Sequence, residues 1–550
     1  MADGEVFDAD AGRDLIVSDA VADCGEDAQK DDGRGLHLEP PPNSLTPYNF
    51  IMSTATARTP PTYAGGSPAS TNAIIERMRA VVGPDNVLTS AADMAAYECD
   101  GFTIAKTKPN VVVFPTSTEH IVGIVKACND LGVSFLARGA GTSLAGGCVL
   151  VGGGVMIALA RMKRILEVNV RDRYAVVEPG VVNVWLTNAL KPHGLHYAPD
   201  PSSQGACTIG GNVATNSGGP HTLKYGVTVN HILGVELVLP DGRVVVCGGP
   251  TEDTPGYDLT GTIVGSEGTF GVVSKVWVRL TKNPEAYRTL LGVFETIDDA
   301  TNTISDIIGA GIVPAALELL DKLMLSAVEA AFKFGFPLDA EAVVIMEVDG
   351  LTAGLQEEAD QIEGIAKKNK AREVRKANSE AERMALWKAR KQAFGTIGRL
   401  GYPSYCTQDG VVPRTKLPQI MRHIQATAKK YNLGICNVFH AGDGNVHPIL
   451  MFDERDPVQV KKVLDASHDI LSECINLGGS VTGEHGIGVE KIDFMPLMFT
   501  PDDLHFMVRL RTAFNPDGRC SPGKMLPTAG GCAEPAGFMG QTKPGRRAAV

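Results

Sequence analysis

The sequence predicts an α+β protein made of two consecutive domains, and three features carry that prediction. Short β-branched runs flank an amphipathic helix soon after residue 70, which is the pattern of a βαβ layer. Strand-like runs separated by glycine-rich polar loops then continue to about residue 284. Beyond that point long helical stretches dominate, broken by isolated strands and by two polar motif loops.

Residues 1 to about 70 are rich in Asp, Glu, Gly, Pro, Ser and Thr, a composition that buries little apolar surface, so a disordered extension is expected. The residues after Met52 resemble an ordinary N-terminus, and translation from Met52 is a further expectation. Ordered sequence begins with a helix at 72–82, then a strand at 111–114. Thr116 and Glu119 stand at capping-box spacing before Ile121, Val122, Ile124, Val125, Cys128 and Leu131, so a helix follows, with a second strand at 134–137. Further strands are read at 155–159, 175–177, 235–239, 244–246 and 272–280, the turn between the third and fourth of these being Asp241-Gly242. After Pro284 come a strand at 288–294, a helix at 297–310 and a strand at 342–348. Helices follow at 355–368, 380–397, 466–477 and 501–512. The expected domains are residues 71–284 and 285–526, with a loose Gly/Pro/Ala-rich tail at 527–550.

The formal net charge of −12 argues against nucleic acid and anionic membrane surfaces as partners, because both are met with clustered Lys and Arg. There is no apolar run of membrane-spanning length, and the acidic start is unlike a signal peptide, so a cytoplasmic protein is expected. The eleven cysteines include no C-x-x-C pair, which argues against the usual iron–sulfur and zinc-ribbon spacings.

Three glycine-rich segments suggest an extended ligand. Arg138-Gly-Ala-Gly-Thr-Ser143 follows a strand directly, and glycines there let backbone N–H groups approach an anion. Pro199-Asp-Pro-Ser-Ser203 runs on to Gly210-Gly-Asn-Val-Ala-Thr-Asn-Ser-Gly-Gly219, and Gly265-Ser-Glu-Gly-Thr-Phe-Gly271 comes third. The first segment lacks the G-x-G-x-x-G spacing of a Rossmann loop. Taken in order, these segments resemble the FAD-binding domain of the vanillyl-alcohol oxidase / p-cresol methylhydroxylase (PCMH) superfamily. The resemblance covers roughly residues 95–285 and implies two α/β subdomains holding FAD. It implies cofactor contacts from Arg138, Gly139, Ala140, Gly141, Thr142 and Ser143, and from Pro199, Asp200 and Ser202. It extends them to Gly210, Gly211, Asn212, Thr215, Asn216, Gly218, Gly219, Glu267, Gly271 and Val272. Some members attach the flavin to a His in the first loop; Thr142 and no His stands there, so non-covalent FAD is expected.

The second half carries a different chemistry. His440 and His447 bracket an Ala-Gly-Asp-Gly turn, and Thr482-Gly-Glu-His-Gly-Ile-Gly488 adds a carboxylate and a third imidazole. Two His and one Glu suit a borderline divalent metal (Zn, Mn or Fe) with an open position for substrate. Oxidising a 2-hydroxy acid removes a hydride from C2 and a proton from the hydroxyl, which calls for a base, a carboxylate clamp and a group that acidifies the hydroxyl. An imidazole near its ordinary pKa suits the first task and an Arg the second.

These motifs resemble the C-terminal domain of FAD-linked 2-hydroxy-acid oxidoreductases, and the whole chain is most similar to the flavin subunit of bacterial glycolate oxidase. The resemblance implies a ferredoxin-like α+β substrate domain closed by a helical segment. It implies His440, His447 and Glu484 as metal ligands, His485 as base and Arg390 as the carboxylate clamp. Asn515-Pro-Asp-Gly-Arg-Cys-Ser-Pro-Gly-Lys524 resembles the family's closing motif, with Asn515 and Ser521 as departures. Hydroxyglutarate dehydrogenases carry a Lys shortly before an Asp of this domain; Thr407 stands at that place, which favours a short monocarboxylate. Glycolate is the expected substrate and D-lactate the alternative. A non-redox alkyl transferase of the same fold would need a His triplet, and none is present. The resemblance implies as partners an iron–sulfur subunit and a second flavin-type subunit, or a quinone or cytochrome acceptor, with any membrane association arising through those subunits.

Overall fold

The chain's computed structural model describes residues 69–251 and 255–527, all within one unit spanning Arg58–Val550. The expectations for residues 1–68, the start at Met52 and the tail from 528 lie outside the described residues.

Two sheets make the first half. β1 (Val87–Leu88), β2 (Val111–Val113), β3 (Phe135–Arg138) and β4 (Val155–Ala158) form a four-stranded sheet in the order β1-β2-β4-β3. β4 lies parallel to and between β2 and β3, so the βαβ unit read from sequence encloses a third strand. Its crossover helix, Thr118–Leu131, buries Ile121, Ile124, Val125 and Cys128 against the sheet. The helix begins one residue later than Thr116 and Glu119 predicted. Ser117 is the N-cap and accepts from the His120 N–H (3.3 Å), while the Thr116 hydroxyl meets the His120 ring. Both residues are good caps, and spacing alone does not separate them.

β5 (Ile165–Asn169), β6 (Tyr174–Val177), β8 (Ile232–Val238), β9 (Val244–Gly248) and β10 (Val272–Arg279) form an antiparallel sheet in the order β5-β6-β10-β8-β9. β10 alternates buried and part-exposed residues along its length, as a sheet with one packed face requires. A two-stranded ribbon joins β7 (Leu195–His196) to β11 (Thr281–Lys282).

The second half is one antiparallel sheet of nine strands. Its path is β15 (Glu373–Lys376), β12 (Ala286–Phe294), β14 (Ala342–Gly350), β13 (Ala316–Asp321), β18 (Gly434–His440), β19 (Asn445–Val446) and β17 (Gly410–Val411). β20 (Pro448–Phe452) pairs with β18 and carries β16 (Ser404–Thr407). Helices Ile297–Gly309, Leu355–Lys368, Leu417–Tyr431 and Pro457–Asn476 contribute to the largest core on this sheet. The helix expected over 380–397 stops at Lys391; Phe394–Leu400 continues as a 3-10 turn.

The C-terminal segment returns to the first half. The Phe135 N–H donates to the Arg519 carbonyl (3.0 Å) and the Ser521 N–H to the Phe135 carbonyl (2.8 Å), so residues 519–521 run beside β3. Phe514 stacks on Phe270 at 4.4 Å, and Cys520 joins the core of the four-stranded sheet. Among the described residues no helix is long and apolar enough to cross a membrane.

Candidate functional site

A cavity of about 340 Å³ lies where the glycine-rich loops of the first half meet the large sheet of the second. Gly139, Ala140, Gly141, Thr142 and Ser143 line it from the first loop, Gly210, Gly211, Asn212 and Thr215 from the second, and Glu267 and Gly271 from the third. Ser202 lines it too, with Pro201 and Ser203 beside it. The glycines are needed for close approach. A Cβ at Gly210 would stand 2.6 Å from the Pro179 side chain and 2.9 Å from its carbonyl, and one at Gly139 would collide with the Thr208 hydroxyl. A cavity ringed by such backbone is a fitting cradle for a dinucleotide.

Other residues expected at the cofactor stand behind these loops. Arg138 is buried, donates to the Cys99 carbonyl (2.8 Å) and lies over the Tyr97 ring, bracing the first loop from below. The Pro199 carbonyl accepts from Asn183 (2.9 Å), and Asp200 pairs with His221 (2.9 Å) and Lys391 (3.1 Å). Asn216 is a left-handed cap, φ +50°, whose side-chain oxygen accepts from the Val229 N–H (2.8 Å). Gly219 packs on the Asp200 backbone, and Val272 is a core strand residue. At Gly218 a Cβ would stand 3.0 Å from Glu484 Oε2, so the flavin-side loop reaches the His/Glu cluster directly.

Strand pairing assembles that cluster. β18 ends at His440, a turn through Gly442-Asp443-Gly444 reverses the chain, and His440 pairs with Asn445. Gly444 has φ +74° and sits against the Val412 carbonyl, a position a side chain would block. His447 follows on the return strand, its Nδ1 donating to the Gln408 carbonyl (3.2 Å), which turns Nε2 toward the cluster. His440 Nδ1 donates to Glu318 (2.8 Å), aiming its Nε2 at Glu484 Oε1, 3.1 Å away. His447 Nε2 lies 3.3 Å from the same oxygen. Tetrahedral ligands at zinc–nitrogen distances stand roughly 3.4 Å apart, so the donor set fits a divalent metal in spacing and chemistry. Burial disfavours a charged Glu484, but His440 and His447 outweigh it and hold the carboxyl well below its usual range.

Arg390, from the last turn of helix Glu380–Lys391, is fully buried. Its Nε donates to Glu318 (2.5 Å), while Nη1 has no hydrogen-bond partner among the described residues, and the side chain lines the cavity. His485 lines it as well, with its ring stacked on that of His447 (centroids 5.0 Å apart). Burial pushes the His485 imidazole down to about 4, more than neighbouring Asp409 lifts it, so its pKa departs from the ordinary value expected and the ring is neutral.

Two acidic residues outside the sequence expectations organise this set. Glu318 joins Arg390 to His440. Asp409 Oδ2 accepts from Thr482 Oγ1 (2.6 Å) and from the N–H groups of Gly483, Glu484 and His485 (3.0, 3.1 and 2.8 Å). Glu267 accepts from the N–H groups of Ile487 (2.7 Å) and Gly488 (2.8 Å), pinning the far end of that loop. A lone acid within an apolar strand, as in Ala316-Leu-Glu-Leu-Leu320, is the signal that marks Glu318. Thr407 is buried and absent from the cavity wall; Tyr405, two residues earlier on the same strand, lines it with Phe394.

Comparison with known proteins places the chain among flavoenzymes. A family described as FAD binding domain matches residues 109–248, and one described as FAD linked oxidases, C-terminal domain, matches residues 283–525. The chain is 42% identical over 448 residues to the glycolate oxidase subunit GlcD of Escherichia coli (strain K12), covering 82% of this chain and 90% of the relative. It is 31% identical over 431 residues to the D-lactate dehydrogenase [cytochrome], mitochondrial, of Arabidopsis thaliana, covering 78% and 75%. In fold it resembles p-cresol methylhydroxylase with substrate bound (TM-score 0.71, 16% identity, 84% and 96% covered). It also resembles alkyldihydroxyacetonephosphate synthase (TM-score 0.66, 18% identity, 85% and 89% covered).

Proposed function

Because the chain belongs to the FAD-linked oxidases that act on hydroxy acids, we propose that it oxidises a short 2-hydroxy monocarboxylate, glycolate first, to the 2-oxo acid. The observation that carries this reading is one cavity in which the unpaired guanidinium edge of Arg390 and the His440–His447–Glu484–His485 cluster face the glycine-rich loops.

In this reading Arg390 Nη1 takes the substrate carboxylate, while Glu318 fixes the guanidinium and keeps its charge paired. Neutral His485 takes the hydroxyl proton. Bound FAD supplies the hydride acceptor for C2. A divalent metal held by His440, His447 and Glu484 would supply a Lewis acid that lowers the hydroxyl pKa. One hydride and one proton leave, so the C–OH becomes C=O. Besides Arg390 the described cavity lining holds one Lys or Arg, Lys391, which Asp200 pairs at 3.1 Å, and Phe394 and Tyr405 add no charge, which supports a monocarboxylate. D-lactate is the second reading, favoured by the relatives named D-lactate dehydrogenase.

The electrons then pass to a separate acceptor. The chain has no C-x-x-C pair, and the described cysteines are all free thiols. A companion subunit of a glycolate oxidase complex, or a quinone or cytochrome, fills that role in this reading.

Anaerobic titration with glycolate, D-lactate and D-2-hydroxyglutarate, followed by flavin absorbance, tests the substrate. Glycolate is expected to bleach the flavin at the lowest concentration; preference for the dicarboxylate overturns the reading. His485→Ala is expected to keep FAD and lose bleaching. Chelation is expected to abolish bleaching, with recovery on adding Zn, Mn or Fe.

A further inference from the structure

A second buried polar system lies beside the cavity and is not used by the chemistry above. Glu347, on β14 and fully buried, accepts from Arg383 through Nε (2.9 Å) and Nη2 (2.8 Å), from Trp387 Nε1 (2.7 Å) and from the Thr289 hydroxyl. His221 lies with Nε2 3.7 Å from Glu347 and with its ring against that of Trp387, centroids 5.0 Å apart. Its Nδ1 donates to Asp200 Oδ2 (2.9 Å), and the same oxygen accepts from Lys391 (3.1 Å).

The path is therefore closed. It leaves helix Glu380–Lys391 at Arg383 and Trp387, runs through Glu347, His221 and Asp200, and returns to the helix at Lys391. Arg383, Trp387 and Lys391 are spaced four apart and so share one helix face. His221 and Asp200 come from the flavin-side half, and the residues directly after Asp200, Pro201 to Ser203, line the cavity. Arg390 lies one residue before Lys391 and three after Trp387.

We propose that His221 is a positioning residue for substrate binding: it couples the flavin-side loop of Asp200 to the helix that presents Arg390, so the carboxylate clamp is set by that loop. This rests on the proposed role of Arg390. Its two links differ in kind: Nδ1 donates a hydrogen bond to Asp200 (2.9 Å), while Nε2 faces the Glu347 carboxylate at 3.7 Å, an ion-pair distance. Removing the ring leaves the buried Glu347 and the part-buried Asp200 carboxylates facing each other across its place, with Arg383 and Lys391 as their remaining cationic partners.

The test uses the intact FAD-loaded protein and three variants: His221→Gln, Asp200→Asn and Arg390→Met. The 2-oxo acid product is titrated into the oxidised enzyme, and its Kd is read from the flavin spectrum, alongside KM and kcat for glycolate and D-lactate. His221→Gln is expected to raise Kd and KM roughly tenfold with kcat changed much less, the signature of lost binding rather than lost chemistry. Asp200→Asn is expected to do the same, and the double variant to be no worse than either single, because both break one path. Unchanged Kd and KM in His221→Gln, or a fall confined to thermal stability, overturns the proposal. If Arg390→Met also leaves Kd unchanged, the Arg390 reading fails with it; if Arg390→Met weakens binding while His221→Gln does not, only the coupling fails.

Discussion

At the scale of single residues the decisive group is Asp409. One of its oxygens accepts four donors from residues 482–485, and Lys491 lies 3.6 Å from it, fully buried. Asp409→Ala would orphan those donors, each costing about 1–3 kcal/mol when buried, and would leave the Lys491 charge unpaired. The expected result is a loss of at least about 3 kcal/mol of stability, read by urea unfolding as a lowered midpoint, with flavin bleaching lost in the folded fraction. Glu318→Gln is expected to weaken acid binding without abolishing folding, since the amide keeps a hydrogen bond but surrenders the charge facing Arg390; substrate KM checks it. His440, His447, Glu484 and His485 were legible in the sequence because polar residues in glycine-rich loops announce themselves. Asp409 was not, and Glu318 showed only as a lone acid in an apolar strand, because a buried carboxylate shows its purpose only through partners distant in the chain. Thr407 drew attention through a motif comparison, yet it is buried and Tyr405, two residues earlier on the same strand, stands in the wall.

At the scale of elements, the β18–β19 hairpin sets the spacing of the two imidazoles. Gly444→Ala would force a side chain into a left-handed position against the Val412 carbonyl, at a cost on the order of 1–3 kcal/mol. Metal content and activity are expected to fall together, and metal analysis of the purified variant checks this. The helix carrying Arg390 shows where periodicity misleads. Apolar spacing continues through Ile397, so the sequence predicts one helix, but the chain breaks after Lys391 into a 3-10 turn. That break follows Arg390 and Lys391 by a residue or two, just where their side chains leave toward the cavity and Asp200. Tertiary contacts override local pattern there.

At the scale of the whole molecule, the ionic path through His221 also predicts how stability responds to pH. Burial opposes a charged His221, but Asp200 and Glu347 outweigh it and lift it from 6.5 to about 10. Its contribution is then complete below about pH 6.5 and is lost as pH rises through about 10. Glu347 is driven the other way: burial opposes its charge, but His221 and Arg383 hold it down from 4.5 to about 2. Its contribution is complete above about pH 4.5 and is lost as pH falls toward 2. The difference in melting temperature between the parent and His221→Gln is expected to be largest near pH 5 to 6 and to shrink toward pH 10, which calorimetry across pH reads directly. The α+β class and the order of flavin-side and substrate-side halves were legible from the glycine loops and the change in pattern near residue 284. The return of the C-terminal segment was not, since nothing local in residues 515–526 marks a neighbour almost four hundred positions earlier.

That return fixes an order of events during synthesis. Phe135 finds its partners Arg519 and Ser521 only after the intervening substrate-side half has been made. The flavin-side half therefore waits, with one sheet edge uncovered, while the substrate-side half is still being made. A chain stopped at Phe514 is expected to emerge with that edge bare and to retain no FAD on gel filtration. Residues 515–526 thus act as a closing stitch: the flavin-side half is completed by residues that follow the substrate-side half along the chain.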